Sequence, residues 1–472
     1  MKKAAKTTLG VIIATRNIFN YKLAVDSRKK VLDKLDAMGF DHIILPESET
    51  PTGNIEGYAD AVKCGALFKK NADSIDGILV VLPNFGDELG VVNSIQLSGL
   101  KVPILVVAVD DDNDKVDVKS RRDAFCGKLS VCNNFYQYGI KFTDTIYHTY
   151  SLDSKEFELD LLKLAGICRV IRGLKGLRVG AIGTRPIGFQ TMRCSEKLLQ
   201  QYGITVVPVD MSEIIAAANK IDENDPAVIA KVKAIQAYGS CAITAQKKIA
   251  KQARFGLAVE NWINDNQIDI SALQCWESIE KNYGCAACVT MSMMGEKLMP
   301  SACEVDVAGT ISMYALALAA DTPSAILDWN NNFAEDRDKV VCTHCSNYPK
   351  SFFQNDVEIG SLDVLGTVLG SEDTFGAVKG KVAAGKMTYF RISTDDTKGQ
   401  IKSYLGEGAM TDDPYGMDGG IAVCEIPNLQ KLMKYMCKNG YEHHVAMVRG
   451  HVSEILEEAI GNYLGWEVYK HE

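Results

Sequence analysis

Short, almost wholly apolar runs alternate with amphipathic segments over residues 1–110. The apolar runs are Leu9–Ala14, His42–Pro46, Ile78–Pro83 and Pro103–Val109. Helical spacing of apolar residues separates them, near Val25–Met38, Tyr58–Lys69 and Glu88–Leu97. Strands rich in Val, Ile and Leu with little polar alternation are typical of a parallel sheet that helices cover on both faces. The pattern predicts a doubly wound α/β unit.

A second α/β alternation follows the glycine-rich segment Arg172–Gly176, which we interpret as a linker. Its predicted strands are Arg178–Ile182, Thr205–Val209, Ile268–Gln274 and Ala287–Met291. From about Lys350 onward, short β runs alternate with glycine turns, which favours an antiparallel or barrel-like unit. We therefore expect an α/β protein with two doubly wound parallel-sheet domains, 1–172 and 173–349. A smaller β-rich domain, 350–472, completes the chain.

Composition narrows the class of protein. Hydrophobic residues make up 47% of the 472 residues and charged residues 24%, as in ordinary globular proteins. The net charge of −9 argues against a nucleic-acid binder, which is usually basic. No apolar run approaches the ~20 residues of a spanning helix, and Leu9–Ala14 is too short for a signal peptide. We expect a cytoplasmic protein with no membrane or nucleic-acid partner.

The 14 cysteines predict reduced, buried thiols in such a compartment. Two CxxC pairs occur, Cys285/Cys288 and Cys342/Cys345, and 53 residues separate them. Compact four-cysteine zinc sites have about 15–20 residues between their pairs. A structural zinc site therefore stays open only as a minor alternative.

The segment Gly180–Gly188 follows a predicted strand but lacks the spacing of a dinucleotide-binding loop. Its glycines are arranged GxxGxxxxG instead of GxGxxG, and Pro186 removes a backbone donor from the loop. This argues against a nicotinamide-dependent dehydrogenase.

Two carboxylates and a few histidines form the candidate chemistry. Glu304 and Asp328 lie in apolar surroundings near predicted strand ends and helix starts, where α/β proteins place their sites. A helix-end carboxylate and an Asx turn are the structural alternatives. His344 and the pair His443–His444 could add nitrogen ligands, and in a strand only one of two adjacent histidines faces a given site. A mixed oxygen and nitrogen set suits Mn²⁺ better than a sulfur-rich zinc site does.

At these residues the chain resembles the L-fucose isomerase and L-arabinose isomerase family. Seven short stretches carry the resemblance in the same order over most of the chain. They are Pro83–Glu88, Gly180–Phe189, Gln274–Trp276, Ala302–Asp306, Asp328–Asn330, His344–Asn347 and Glu442–Ala446.

The resemblance implies one Mn²⁺ per site, held by Glu304, Asp328 and His444. In the arabinose branch a further histidine, here His344, completes the ligand set. The same two carboxylates would pass a proton between C1 and C2 of a sugar as acid and base.

The resemblance also implies substrate contacts and an assembly. Gln274, Trp276 and Asn330 are the candidate sugar contacts, with core packing as the alternative for Trp276. Family members form trimers or hexamers, so Arg16, Asn17 and Phe19 are expected to reach the site of a neighbouring subunit in a homo-oligomer.

The leading hypothesis is therefore a Mn²⁺-dependent aldose–ketose isomerase acting through an enediol(ate) on a pentose, a 6-deoxyhexose or a modified hexose. One alternative within this class is a sulfoquinovose isomerase, whose sulfonate would need a cation from Arg16, Arg185, Arg193 or His451. A non-catalytic sugar-binding protein is the more distant alternative.

Overall fold

The computed structural model describes residues 6–241, 245–345, 347–416 and 419–472, which divide into two compact units. The first unit runs to Arg172 and also contains Glu458–Gly465. The second comprises Gly173–Glu457 and Trp466–Glu472. Ser346, in one of the stretches that carry the family resemblance, lies outside the described residues. No helix in the described ranges is long and apolar enough to cross a membrane.

Strands and helices alternate over the first two thirds of the chain, and strands dominate the rest. The described strands are β1 (Thr8–Ile13), β2 (Asp41–Ile44), β3 (Gly77–Leu82), β4 (Ile104–Ala108), β5 (Arg178–Ile182), β6 (Thr205–Val209), β7 (Ser240–Cys241), β8 (Ile270–Leu273), β9 (Ser301–Cys303), β10 (Ser324–Phe333), β11 (Asp336–His344), β12 (Glu358–Ser361), β13 (Phe375–Lys381), β14 (Gly385–Asp395), β15 (Gln400–Met410), β16 (Gly420–Glu425), β17 (His444–Arg449) and β18 (Glu467–Lys470). The helices are α1 (Lys22–Ala37), α2 (Tyr58–Lys70), α3 (Glu88–Ser98), α4 (Ala124–Gln137), α5 (Lys155–Leu174), α6 (Glu196–Gln201), α7 (Met211–Lys220), α8 (Pro226–Tyr238), α9 (Gln246–Asp265), α10 (Ser278–Asn282), α11 (Cys288–Gly295), α12 (Val307–Ala320), α13 (Asp363–Leu369), α14 (Leu429–Asn439) and α15 (Ser453–Leu456), the last followed by a π-helical turn at Glu457–Tyr463.

The first unit contains a parallel sheet in the order β2-β1-β3-β4. Alternate residues of its strands enter two separate cores: Val11 and Ile13 pack on one face, and Ile12 packs on the other. Burial on both faces explains why these strands read as continuous apolar runs in the sequence.

The second unit contains a smaller parallel sheet in the order β6-β5-β8-β9. The predicted strand Ala287–Met291 is wrong, because this run lies in helix α11, whose residues are all buried. A short apolar run that is buried on every side has no periodicity that separates strand from helix. The fourth strand is instead β9, only three residues long, immediately before Glu304.

Six strands of the second unit close into an antiparallel barrel. The ring runs β15-β14-β17-β10-β11-β16, and β16 returns to pair with β15. The sheet continues beyond the ring through β18 on one side and through β13, β12 and β7 on the other. The predicted fold class, two parallel α/β sheets and a β-rich, barrel-like C-terminal region, is confirmed. The division into three domains stays a prediction.

Cys275 and Cys303 form a disulfide, whereas the composition led us to expect reduced thiols throughout. They lie at the carboxyl ends of the adjacent parallel strands β8 and β9, with their Cα atoms 6.0 Å apart. The four CxxC cysteines carry free thiols, and none of them belongs to a possible metal-binding group of described residues.

Candidate active site

Three elements of the second unit bring the candidate residues together. Asp328 of β10 and His444 of β17 are direct partners in an antiparallel ladder, so their side chains share one face of the barrel wall. Thr343 pairs with Asp328 from the other side, which places His344 at the end of β11 close by. Glu304 follows β9, at the carboxyl edge of the parallel sheet, where α/β folds bind their ligands.

The turn that carries Glu304 has an unusual backbone. Glu304 and Val305 have φ values of 62° and 57°, a left-handed conformation that costs non-glycine residues on the order of 1–3 kcal/mol each. The hydrogen bonds Asp306 N to Cys303 O (3.0 Å) and Val307 N to Val305 O (2.9 Å) hold the turn. Such strain is concentrated at functional sites, where surrounding structure fixes one side chain in place.

The Nε2 atom of His444 lies at the centre of the cluster. It is 3.5 Å from Glu304 Oε2, 3.4 Å from Asp328 Oδ1 and 3.3 Å from His344 Nε2. His444 is fully buried, and Glu304 and His344 are nearly so. Adjacent ligand atoms of one octahedral cation are about 3 Å apart, so these separations are near those of a coordination shell.

The residues present fit a divalent cation. Glu304 Oε2 and Asp328 Oδ1 are buried oxygens without a hydrogen-bond partner among the described residues. A buried carboxylate oxygen normally has a partner, and a bound cation supplies one. Three overlapping groups have ligand atoms close enough to share an ion. They are Cys303/Glu304/His344, Glu304/His443/His444 and Asp328/His344/His444.

Burial shifts the ionisation of this cluster. It raises the pKa of Glu304 to about 7, an effect that His444 opposes and that the nearby Asp328 and Asp306 carboxylates reinforce. Burial also raises the pKa of Asp328 to about 6. For His444, burial alone would lower the pKa, but the hydrogen bond to Asp306 and the surrounding carboxylates raise it. Burial and the His444 ring lower the pKa of His344.

The two adjacent histidines differ in environment. His444 points into the buried cluster, whereas the side chain of His443 is 39% exposed and its Nε2 lies 3.8 Å from Asp328 Oδ1. The ring of His443 also contacts Phe189, with centroids 6.2 Å apart. Burial and His444 lower the pKa of His443 to about 4.

Two of the predicted sugar contacts, Gln274 and Trp276, follow β8, the neighbour of the strand that precedes Glu304. The Trp276 indole Nε1 is buried close to the Glu304 carboxylate, whose pKa a hydrogen bond from Trp276 lowers, and the Trp276 ring packs 5.4 Å from Phe189. Gln274 Oε1 accepts a hydrogen bond from the Thr184 N–H at 3.1 Å. At Gly183, φ is +83° and a Cβ would come within 2.5 Å of that Oε1, so the turn after β5 needs glycine there.

The remaining predicted residues have other partners. Asn330 Oδ1 accepts hydrogen bonds from both the backbone N–H and the hydroxyl of Thr343, which ties the β10–β11 ladder. Arg16, Asn17 and Phe19 belong to the first unit. There Arg16 forms a salt bridge with Glu88, and the Phe19 ring packs on Phe85 at 5.6 Å.

Sequence reasoning missed the buried charges behind His444. Asp306 lies 2.8 Å from His444 Nδ1, and Arg391 pairs with Asp306 and with Glu442. A signal was present, because Arg391 lies between the large apolar residues Tyr389, Phe390 and Ile392, and an arginine there needs buried anions.

Two family models match the chain. The N-terminal domain of fucose/sulfoquinovose isomerases matches residues 10–175, and the C-terminal domain of L-fucose isomerase matches residues 342–472. Together they span more than half of the chain, and the second covers the barrel strands that carry His344 and His444. The class that they define is aldose–ketose isomerase. This chain belongs to the L-fucose isomerase-like family.

Curated relatives match at low identity but over great length. A sulfoquinovose isomerase from Priestia aryabhattai is 24% identical over 463 residues, which cover 98% of both chains. Another, from Clostridium sp. (strain MSTE9), is 25% identical over 327 residues, 68% of this chain and 72% of that protein.

Among solved structures, a periplasmic solute-binding protein of an ABC transporter from Actinobacillus succinogenes 130z, with bound D-allose, covers 67% of this chain and 93% of its own. The identity is 12% and the TM-score 0.18. So low a score carries no argument for the sugar-binding alternative.

The contrast between the two histidines gives a first prediction. His444→Ala should weaken binding of a divalent cation strongly, because it removes the nitrogen between the two unpartnered carboxylate oxygens. His443→Ala, the matched control one residue away, should change the affinity little. Calorimetric titration of metal-free protein with MnCl₂ measures both, and stronger weakening by His443→Ala would contradict the site geometry.

Cation affinity should also depend on pH. Protons compete with the metal wherever a ligand must be deprotonated, and the pKa values of Glu304 and Asp328 are raised to about 7 and about 6. The affinity should therefore fall as the pH drops from 8 to 5, by up to about tenfold per pH unit for each protonated carboxylate. The same titration at pH 8, 7, 6 and 5 measures this, and a constant affinity would contradict the raised pKa values.

Proposed function

We propose that the chain is a Mn²⁺-dependent aldose–ketose isomerase with Glu304, Asp328 and His444 as metal ligands. The observation that carries the proposal is the pair of buried, unpartnered oxygens, Glu304 Oε2 and Asp328 Oδ1, beside His444 Nε2. Two hard carboxylates and one imidazole suit Mn²⁺. We assign His344 as the further ligand, because it shares a group with Asp328 and His444 and its buried Nε2 lies 3.3 Å from His444 Nε2, whereas His443, in another group, is 39% exposed.

The reaction moves a proton between C1 and C2 of the sugar and shifts the carbonyl between the same carbons. The bound cation supplies Lewis-acid polarisation of the sugar oxygens. In the metal-free protein burial raises the pKa of Glu304 to about 7, so this carboxylate can take up and release a proton near neutral pH, as an acid/base group requires. Asp328, whose pKa burial raises to about 6, is the second proton carrier.

Aromatic rings form an apolar wall next to these carboxylates. Trp276 packs against Phe189, and Phe189 in turn packs against His443. We propose that this wall contacts the carbon face of the sugar, while the polar groups of Gln274 and Trp276 contact its hydroxyl groups. Exclusion of water by such a wall strengthens the electrostatic interactions within the site.

For the substrate we propose an aldohexose with an anionic substituent, as in the sulfoquinovose of the curated relatives. Of the four candidate cations, Arg16 pairs with Glu88 and His451 lies 3.2 Å from Glu407. Arg185 and Arg193 donate only to backbone carbonyls of their own loop, and neither forms a salt bridge with a described carboxylate.

Both arginines lie in the loop after β5, and two other residues of this loop contact residues of the candidate site. The start of the loop contacts Gln274 through Thr184, and Phe189 in its middle packs on Trp276 and His443. We propose that its cations meet the charged end of a sugar held at the carboxylates. The cytoplasmic location, the homo-oligomeric assembly and the contact of Arg16, Asn17 and Phe19 with a neighbouring site stay predictions.

The acid/base assignment is tested by Glu304→Gln. The amide cannot carry the proton, so turnover of a 6-sulfonated or 6-deoxy aldose should fall by about 100-fold to 10,000-fold. Glu280→Gln is the matched control, because Glu280 is equally buried and burial raises its pKa to about 8. Conversion of aldose to ketose is followed by NMR. Near-normal turnover by Glu304→Gln, or full activity after metal removal, would refute the proposal.

The substrate assignment is tested by the double variant Arg185→Ala/Arg193→Ala. Its kcat/KM should fall about tenfold or more for 6-sulfonated glucose and stay near wild type for a neutral aldose, because only the anion loses a charged partner. Arg178→Ala is the control, since Arg178 lies at the opposite end of β5 and donates to Asn266 O. An equal loss for both sugars would contradict a role in anion recognition.

A further inference from the structure

We infer that Asp306, fixed by Arg391 and Glu442, is a positioning residue that holds His444 with its Nε2 lone pair toward the metal site. The inference rests on the proposed function and goes beyond it, because Asp306 itself belongs to none of the possible metal-binding groups. Asp306 Oδ2 lies 2.8 Å from His444 Nδ1, on the side of the ring opposite the cluster.

The hydrogen bond defines which nitrogen of His444 carries the proton. A carboxylate only accepts, so Nδ1 must donate to Asp306, and in the neutral ring the lone pair then belongs to Nε2. Nε2 is the atom that faces Glu304 and Asp328. Carboxylates that orient a metal-binding imidazole in this way typically change metal affinity 10- to 100-fold when they are removed.

Asp306 is itself held from two directions. It precedes α12, and its Oδ1 accepts the backbone N–H of Gly309 at 2.8 Å. Arg391 reaches both oxygens, with Nη2 3.1 Å from Oδ1 and Nη1 on Oδ2. A Cβ at residue 309 would lie 2.2 Å from Asp306 Oδ2 and 2.8 Å from Arg391 Nη1, so glycine is needed for this approach.

Arg391 is fixed in turn by a second anion. Its Nε donates to Glu442 Oε2 at 3.3 Å, and Ser393 Oγ donates to Glu442 Oε1 at 2.8 Å. Arg391, Asp306 and His444 are each 0% exposed. The guanidinium thus joins two carboxylates in a fork geometry that leaves Asp306 one orientation, pointing at His444.

In the described part of the chain, the neighbouring residue His443 lacks a hydrogen-bond network of this kind and serves as the comparison. This neighbouring ring has no comparable carboxylate on its Nδ1 among the described residues, and its Nε2 is 3.8 Å from Asp328. Of the two rings, only His444 has a described carboxylate hydrogen-bonded to its Nδ1, so only His444 has its lone pair fixed on Nε2. The network thus fixes the lone pair of the histidine that the pairing of β10 with β17 already turns toward the cluster.

Asp306→Asn tests the inference, with Asp160→Asn as the matched control. Asp160 is also a buried aspartate, which accepts from the Tyr150 hydroxyl at 2.8 Å and from the Ile146 N–H at 3.0 Å. Both variants lose a buried charge, so both can lower the thermal midpoint of the metal-free protein. Only Asp306→Asn should weaken Mn²⁺ binding, by about 10- to 100-fold in Kd, while Asp160→Asn stays within about twofold.

An unchanged Kd in a folded Asp306→Asn protein overturns the inference and leaves the metal site intact. Failure of the wild type to bind Mn²⁺ overturns the proposed function as well. If the variant does not fold, wild-type protein labelled with ¹⁵N-histidine and loaded with Mg²⁺ decides by NMR, with His444→Gln identifying the signal. A proton on Nδ1 of His444 supports the inference, and a proton on Nε2 overturns it.

Discussion

The structure of the site depends on one constraint: charged side chains that are buried away from water must each have an opposite charge or a hydrogen-bond partner. Glu304 and His444 lie within the protein interior, and Asp328 turns its Oδ1 to the same buried point. Taking a carboxylate out of water costs several kcal/mol unless an opposite charge or hydrogen bonds replace the solvent. Arg391 supplies that opposite charge for Asp306, and the proposed cation supplies it for Glu304 and Asp328. Because Glu304 and the Oδ1 atom of Asp328 are buried, the ionised forms of both carboxylates depend on the proposed cation, and so does any proton transfer that they carry out.

The antiparallel barrel and the smaller parallel sheet of the second unit together hold these buried charges in place. The barrel fixes Asp328 and His444 by their pairing across β10 and β17, a register that a one-residue slip would invert. The parallel sheet delivers Glu304 and Asp306 from a single strained turn after β9. These two carboxylates are only two residues apart but have different surroundings. Glu304 lies in the candidate metal cluster with Asp328, whereas Asp306 pairs with the cation Arg391.

Local sequence patterns predicted the parallel sheets well, because continuous apolar strands separated by amphipathic helices have few alternative folds. They failed at α11, where every residue is buried and no periodicity separates helix from strand. They also failed at the Cys275–Cys303 disulfide, which depends on β8 and β9 being neighbours. The family resemblance, not the pattern, selected Glu304, Asp328 and His444 as ligands. The Asp306–Arg391–Glu442 network joins residues as much as 136 positions apart in a fold that local patterns do not define.

Anomalous X-ray diffraction from crystals of the Mn²⁺-loaded protein tests most directly whether Glu304, Asp328 and His444 bind one cation. We expect one strong anomalous peak within about 2.0–2.4 Å of Glu304, Asp328 and His444 Nε2, with Asp306 outside the coordination shell. A peak elsewhere, or one that lacks either carboxylate or the His444 ring among its ligands, would contradict the proposed metal site.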